Sequence, residues 1–112
     1  MAETLKILGQ SNPSAATNTV LYTVPSARQT VISTIAICNQ ADTATTFRIL
    51  VQAAADVASV TGKQYLAYNT IVAKNDTTFI TTGLTLAAGD RIQVYTPSTS
   101  LSFSAYGSEA TL

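Results

Sequence analysis

Residues 29–39 form an uncharged run in which Val31, Ile32, Thr34, Ile35 and Ile37 crowd β-branched side chains together. Such residues are stiff at χ1 and fit a pleated surface better than a helix, so the run is predicted to be a central strand. Apolar groups fall on both parities, Val31, Ile35 and Ile37 on one and Ile32, Ala36 and Cys38 on the other. A strand with this pattern is expected to be covered on both faces, by the opposite sheet on one side and by a neighbouring protomer on the other. That expectation makes Ile32 and Cys38 candidate contact residues.

The cleanest alternation is residues 101–106, with Leu101, Phe103 and Ala105 inward, Ser102, Ser104 and Tyr106 outward, and Gly107 ending the strand. Residues 45–51 alternate Phe47, Ile49 and Val51 against Thr46, Arg48 and Leu50; with the polar stretch before them they predict a hairpin with the central strand. A strand over 17–24 is stopped by Pro25, which cannot donate to a ladder. Further strands are predicted over 63–72, over 77–86 with Gly83 marking a bulge or bend, and over 91–95. Residues 1–14 read as an extended N-terminal arm or an edge strand. Residues 53–61 read as a loop, with a short helical turn as the alternative. About eight short strands and almost no helix predict an all-β fold, a single antiparallel β-sandwich over 1–112, with a jelly roll as the candidate topology.

Composition narrows the function classes. Charged residues are 11% of the chain, against about 25% in ordinary soluble proteins, and six basic and six acidic residues cancel. No basic field exists to gather nucleic acid or an anionic membrane. A sparsely charged surface repels itself weakly, which suits a protein packed against copies of itself. Cys38 is the only cysteine, so no internal disulfide forms. The first residues lack a basic region followed by an apolar one, and no apolar run reaches the ~18 residues of a membrane span, so synthesis in a cytoplasm is expected, unless a larger particle later carries the chain out.

With no histidine, the commonest general base and the usual orienter of a nucleophile are missing. A lone Cys and scattered carboxylates (Glu3, Asp42, Asp56, Asp76, Asp90, Glu109) offer no ligand spacing and select no catalytic pair. The reading is therefore of a non-enzyme with no catalytic, cofactor-binding or metal-binding residue. Asp90 and Arg91 read as a turn charge beside a strand-start charge. Arg48 lies inside an apolar alternation, where an unpaired buried charge is costly, so it either faces solvent or meets a partner across an interface. Tyr65 and Tyr68 share one strand, and Tyr95 and Tyr106 lie near the ends of two others. Aromatic rings stack on sugars and anchor protein interfaces, although strand-end tyrosines also serve as partial core. The interaction candidates are Ile32, Cys38, Arg48, Tyr65, Tyr68 and Tyr106.

Several phrases resemble a group of small virion structural proteins of tailed bacteriophages. They are residues 6–10 (KILGQ), 21–25 (LYTVP), 31–35 (VISTI) with Cys38 and Asn39, 47–49 (FRI), 75–77 (NDT), 83–86 (GLTL), 90–94 (DRIQV), and Phe103 with 107–109 (GSE). The resemblance spans nearly the whole chain but consists of strand and turn phrases. It implies a β-sandwich displayed in many copies on a virion, as a capsid decoration or cement protein that stabilises the shell. The alternative it leaves is a tail, collar or fibre-associated module that binds host-surface carbohydrate or a receptor. A homo-oligomer, with a trimer favoured, and contacts to capsid or other virion proteins are the expected partners.

Overall fold

In the computed structural model, which describes residues 3–111, eight strands follow one another: β1 (Glu3–Ser11), β2 (Thr19–Thr23), β3 (Arg28–Asn39), β4 (Thr45–Gln52), β5 (Tyr65–Val72), β6 (Thr77–Leu86), β7 (Arg91–Tyr95) and β8 (Leu101–Thr111). They make two antiparallel four-stranded sheets, sheet A in the order β1-β8-β3-β6 and sheet B in the order β2-β7-β4-β5. The pairings are nested, with β1 on β8, β2 on β7, β3 on β6 and β4 on β5. An all-β sandwich is thus the architecture. Of the N-terminal segment expected as an arm or an edge strand, Glu3–Ser11 is the edge strand β1, and residues 1 and 2 lie outside the described residues.

The core lies between the sheets. Ile32, Ile35, Ile37 and Phe103 from sheet A meet Phe47 and Ile49 from sheet B, all fully buried. Phe47 and Phe103 bridge the layers edge to face with ring centroids 6.1 Å apart, an arrangement aromatic pairs favour over a face-to-face sandwich. The alternation of residues 101–106 holds, with Leu101, Phe103 and Ala105 inside and Tyr106 on the outer face. The strand does not end at Gly107, however, but runs on to Thr111.

Two expectations about the central strand are corrected. Its apolar residues divide between the two faces, but not by simple parity: Ile32, Ile35 and Ile37 point inward, and Val31, Ala36 and Cys38 point outward. Ile32 pairs with Gly107 and Thr34 with Tyr106, so Ser33 is an extra residue on β3. One extra residue reverses the side-chain parity, and it places Ile32 on the same inner face as Ile35 and Ile37. Ile32 is 0% exposed inside its own core and is not a contact residue. The opposite register with β6 carries the matching irregularity: Ile32 pairs with Leu84 and Thr34 with Thr81, so Thr82 and Gly83 bulge together. The freed backbone groups find side chains, with Ser33 Oγ donating to Tyr106 O and Thr82 Oγ1 to Ile32 O.

The second correction concerns the hairpin. β3 and β4 lie in different sheets, so residues 40–44 carry the chain across the sandwich instead of back along it. Asn39 anchors this crossing. Its buried Nδ2 donates to the carbonyls of Thr43, Val72 and Ala73, and its Oδ1 accepts from Ala41 N and Ser100 Oγ. One side chain thereby ties the exit of β3 to the loops after β5 and before β8.

Residues 53–61, expected as a loop with a short helical turn as the alternative, contain a single 3-10 turn at Ala54–Asp56, and a second at Gly62–Gln64 takes the place of the first residues of the strand expected over 63–72, which begins at Tyr65. They fold over one end of the outer face of sheet B, which explains why Leu50 and Gln52, on the parity opposite Phe47 and Ile49, have no exposure. Beneath them Gln52 Oε1 accepts from Gln93 Nε2 and Arg91 Nε, while Gln52 Nε2 donates to Gln64 Oε1. Gln64 Nε2 donates in turn to the carbonyls of Asp56 and Ser59. Asp90 accepts from the backbone of Ala54 and Ala87, so this turn carboxylate fastens the start of the cover.

Candidate interaction site

The outward side chains fall on two surfaces at opposite sides of the sandwich. On sheet A the registers set Leu5, Ser108, Val31 and Thr85 in one row, Ile7, Tyr106, Thr34 and Thr81 in the next, and Gln10, Ser104, Ala36 and Phe79 in a third. Cys38, with Ser102 and Thr77 beside it, follows. Leu5 is 81% and Phe79 67% exposed, and Ile7, Val31 and Tyr106 are also exposed. Cys38 is half-buried among small neighbours. Among outward strand positions of the described residues, Glu3 at one corner is the only charge on this face. The face therefore carries scattered apolar side chains with hydroxyls between them, on the order of 500 Å² in footprint from ordinary strand spacings.

Sheet B presents different chemistry. Tyr95 on β7 and Arg48 on β4 are cross-strand partners. The Arg48 guanidinium carbon sits 4.2 Å from the Tyr68 ring centroid and 4.6 Å from that of Tyr95. Tyr65 meets Tyr68 nearly perpendicular at 4.8 Å. Phe47 pairs with Thr70 and Ile49 with Ala67, which leaves both Tyr68 and Asn69 opposite the single residue Arg48. Asn69 takes a left-handed backbone (φ 52°), which asparagine tolerates better than most residues. Its Oδ1 accepts from Arg48 Nε at 2.9 Å. This bulge on an edge strand aims two side chains at one arginine.

Of the residues singled out from the sequence, Arg48, Tyr65 and Tyr68 come together here, joined by Tyr95 and by Asn69, which sequence reasoning did not select. Cys38 and Tyr106 share the sheet A face instead. That face also holds Leu5, Ile7, Val31 and Phe79, whose exposure followed only from knowing which strands are neighbours.

A third cluster left no trace in the sequence. Glu109, 5% exposed, reaches between the sheets, where Tyr22 Oη donates to its Oε2 and also pairs with Thr30 Oγ1 at 2.8 Å. Lys6 Nζ at 3.3 Å and Arg28 at 3.8 Å approach its other oxygen. The hydrogen bond from Tyr22, aided by Lys6 and Arg28, holds the Glu109 carboxyl below the usual glutamate range against the opposing effect of burial. Burial, with the bond to Glu109, pushes the Tyr22 phenol up to about 12. The cluster gives a buried carboxylate two cations and a phenol donor at one end of the sandwich.

Four of the other five carboxylates have partners as well: Asp42 accepts from Asn75, Asp56 pairs with Lys63, Asp76 accepts from the Thr77 backbone, and Asp90 fastens the cover loop. Among the described residues no group of three or more His, Cys, Asp or Glu could hold a metal ion. No family model, curated protein or solved structure matches the chain.

Proposed function

We propose that this chain is a non-catalytic structural protein of a bacteriophage virion, a capsid decoration or cement protein that associates with its own copies and grips the shell through the outer face of sheet A. The observation that carries the reading is a face, charged only at Glu3 among its outward strand positions, on which Leu5, Ile7, Val31, Phe79 and Tyr106 stand exposed. Exposed apolar side chains gathered on one sheet face with a single charge are the kind of surface used for interaction, and the outer face of a sheet can pack face to face on another at about 10 Å. The absence of net charge removes the repulsion that would oppose crowding many copies on one particle. The nested strand pairing is read as a jelly roll, an arrangement used by shell-forming domains and by lectins alike.

A cryo-electron-microscopy map of the parent particle tests this assignment. The expected result is a sandwich-shaped density repeated over the head, with sheet A turned toward the shell or toward neighbouring copies. Density confined to the tail, or absence of the chain from the particle, overturns it.

The Arg48–tyrosine cluster favours a second reading, in which the opposite face binds host-surface carbohydrate or a receptor. Its half-exposed aromatic rings are of the kind that pack on saccharides.

A further inference from the structure

We infer that the Arg48 cluster is a binding site for an acidic saccharide, with the guanidinium of Arg48 holding a sugar carboxylate and the Tyr68 ring packing against the adjacent pyranose face. This rests on the carbohydrate-binding reading of sheet B and adds the charge of its ligand.

Three observations point to a carboxylate. First, the strands of sheet B contain only two charged residues, Arg48 and Arg91, and no carboxylate at all. Arg91 is consumed under the cover loop, donating to Gln52 Oε1 and to Val57 O. Arg48 makes no ion pair with any described residue, whereas Lys6 and Arg28 share Glu109 and Lys63 has Asp56. Its positive charge faces only π-surfaces and one amide oxygen.

Second, the guanidinium is oriented in advance. Two rings and the Asn69 bond to Nε fix its plane, so little rotamer freedom remains to be lost on binding. Neither Nη has a hydrogen-bond partner among the described residues, and no side-chain nitrogen there is buried without one, so these donors reach solvent. The pair of parallel N–H groups they present matches the two oxygens of a carboxylate.

Third, the local backbone is distorted to build this arrangement. Asn69 occupies the left-handed region opposite Arg48, on an edge strand whose register with β4 shifts both there and again between Ile49 and Leu50. Sparsely populated backbone conformations concentrate at binding sites. Beside the guanidinium, Tyr68 is 56% exposed and Asn69 is exposed, giving a ring and an amide to a sugar that carries the carboxylate.

The test is an NMR titration of the intact chain with methyl glucuronide, methyl glucoside and an acidic dipeptide. Methyl glucuronide is expected to give saturable shifts at the Arg48 Nε–H, Asn69 and Tyr68 signals, with methyl glucoside at least about tenfold weaker, the loss of one charge-assisted contact. Arg48→Lys, which loses the fork and the stacking plane, is expected to weaken the glucuronide by a similar factor while the thermal midpoint stays unchanged. Asn69→Gly, which keeps the left-handed backbone but removes the acceptor, is expected to weaken it less. Equal binding of glucoside and glucuronide, or glucuronide binding undiminished in Arg48→Lys, overturns the carboxylate assignment while sparing the saccharide reading. Binding of neither sugar overturns both, and binding of the acidic dipeptide alone replaces them with a protein partner.

Discussion

Replacing Gly107 by alanine is expected to destabilise the protein by about 3 kcal/mol. Gly107 faces Ile32 across the β3 bulge, where the extra residue Ser33 pushes the two backbones together. An added Cβ would fall inside the Val31 carbonyl oxygen and stand 3.0 Å from Ile32 Cα. Both obstacles are backbone of the most central strand pair, so relief requires β3 and β8 to part and the buried Ile32 to move with them. Gly83 is the internal control. It lies in the matching bulge of β6, yet an added Cβ there meets nothing within 4 Å and its φ is not positive. Gly83→Ala is therefore expected to be neutral or stabilising by up to about 1 kcal/mol through the unfolded chain. Urea unfolding of the two variants measures the contrast, and equal effects would mean that the bulge does not bring the strands together as described.

Glu109→Ala is expected to cost about 2–3 kcal/mol, the scale of breaking a buried ionic and hydrogen-bonded group. It deprives Tyr22 of its acceptor and leaves Lys6 and Arg28 without a counter-charge, although both cations keep access to water. The same cluster sets two limbs of the stability–pH profile. The lowered Glu109 pKa contributes stability that is present above the ordinary glutamate value and lost as pH falls through the folded value. The Tyr22 phenol, raised from 10.0 to about 12, contributes stability that is complete below pH 10 and lost as pH rises toward 12. Tyr22→Phe is expected to abolish the alkaline limb attributed to this residue and to shallow the acid one. Thermal melts across pH would refute the cluster's role if Glu109→Ala and the parent lost stability in parallel at both extremes.

Most strands were legible because period-2 alternation and turn residues speak about local structure. The runs at 45–51 and 101–106 sorted Phe47, Ile49, Leu101, Phe103 and Ala105 to the correct face, since each strand is half-covered by one partner sheet. The central strand misled for a physical reason. A bulge inserts one residue and inverts everything after it, so Ile32 and Ile35 share a face although their parities differ. Ser33 inside a β-branched run and Gly107 inside a strand were the available signs, and only their pairing across β3 and β8 gives them meaning. The supposed hairpin failed because a polar connection of about five residues serves equally to turn back or to cross a sandwich about 10 Å thick.

Of the candidate sites, Arg48 was visible as a charge in an apolar alternation, and Tyr65 and Tyr68 as neighbours in one strand. Asn69 was not, because its importance lies in a bulge opposite Arg48 that no spacing rule reveals. The Tyr22–Glu109 bond joins residues 87 positions apart and was equally hidden. The sheet A face emerged only when β1 and β6, distant in sequence, were placed on the two edges of one sheet.

The claim that sheet A is the face through which copies associate is tested most directly by light scattering over a concentration series, with the parent chain beside Phe79→Lys and Val31→Lys. These substitutions put a charge on the apolar face without touching the core. The expected result is a mass that is a multiple of 11.7 kDa for the parent, a trimer being favoured, and a shift to the monomer mass in both variants. A parent chain that remains an 11.7 kDa monomer at high concentration, or an oligomer that both lysines leave intact, would contradict it.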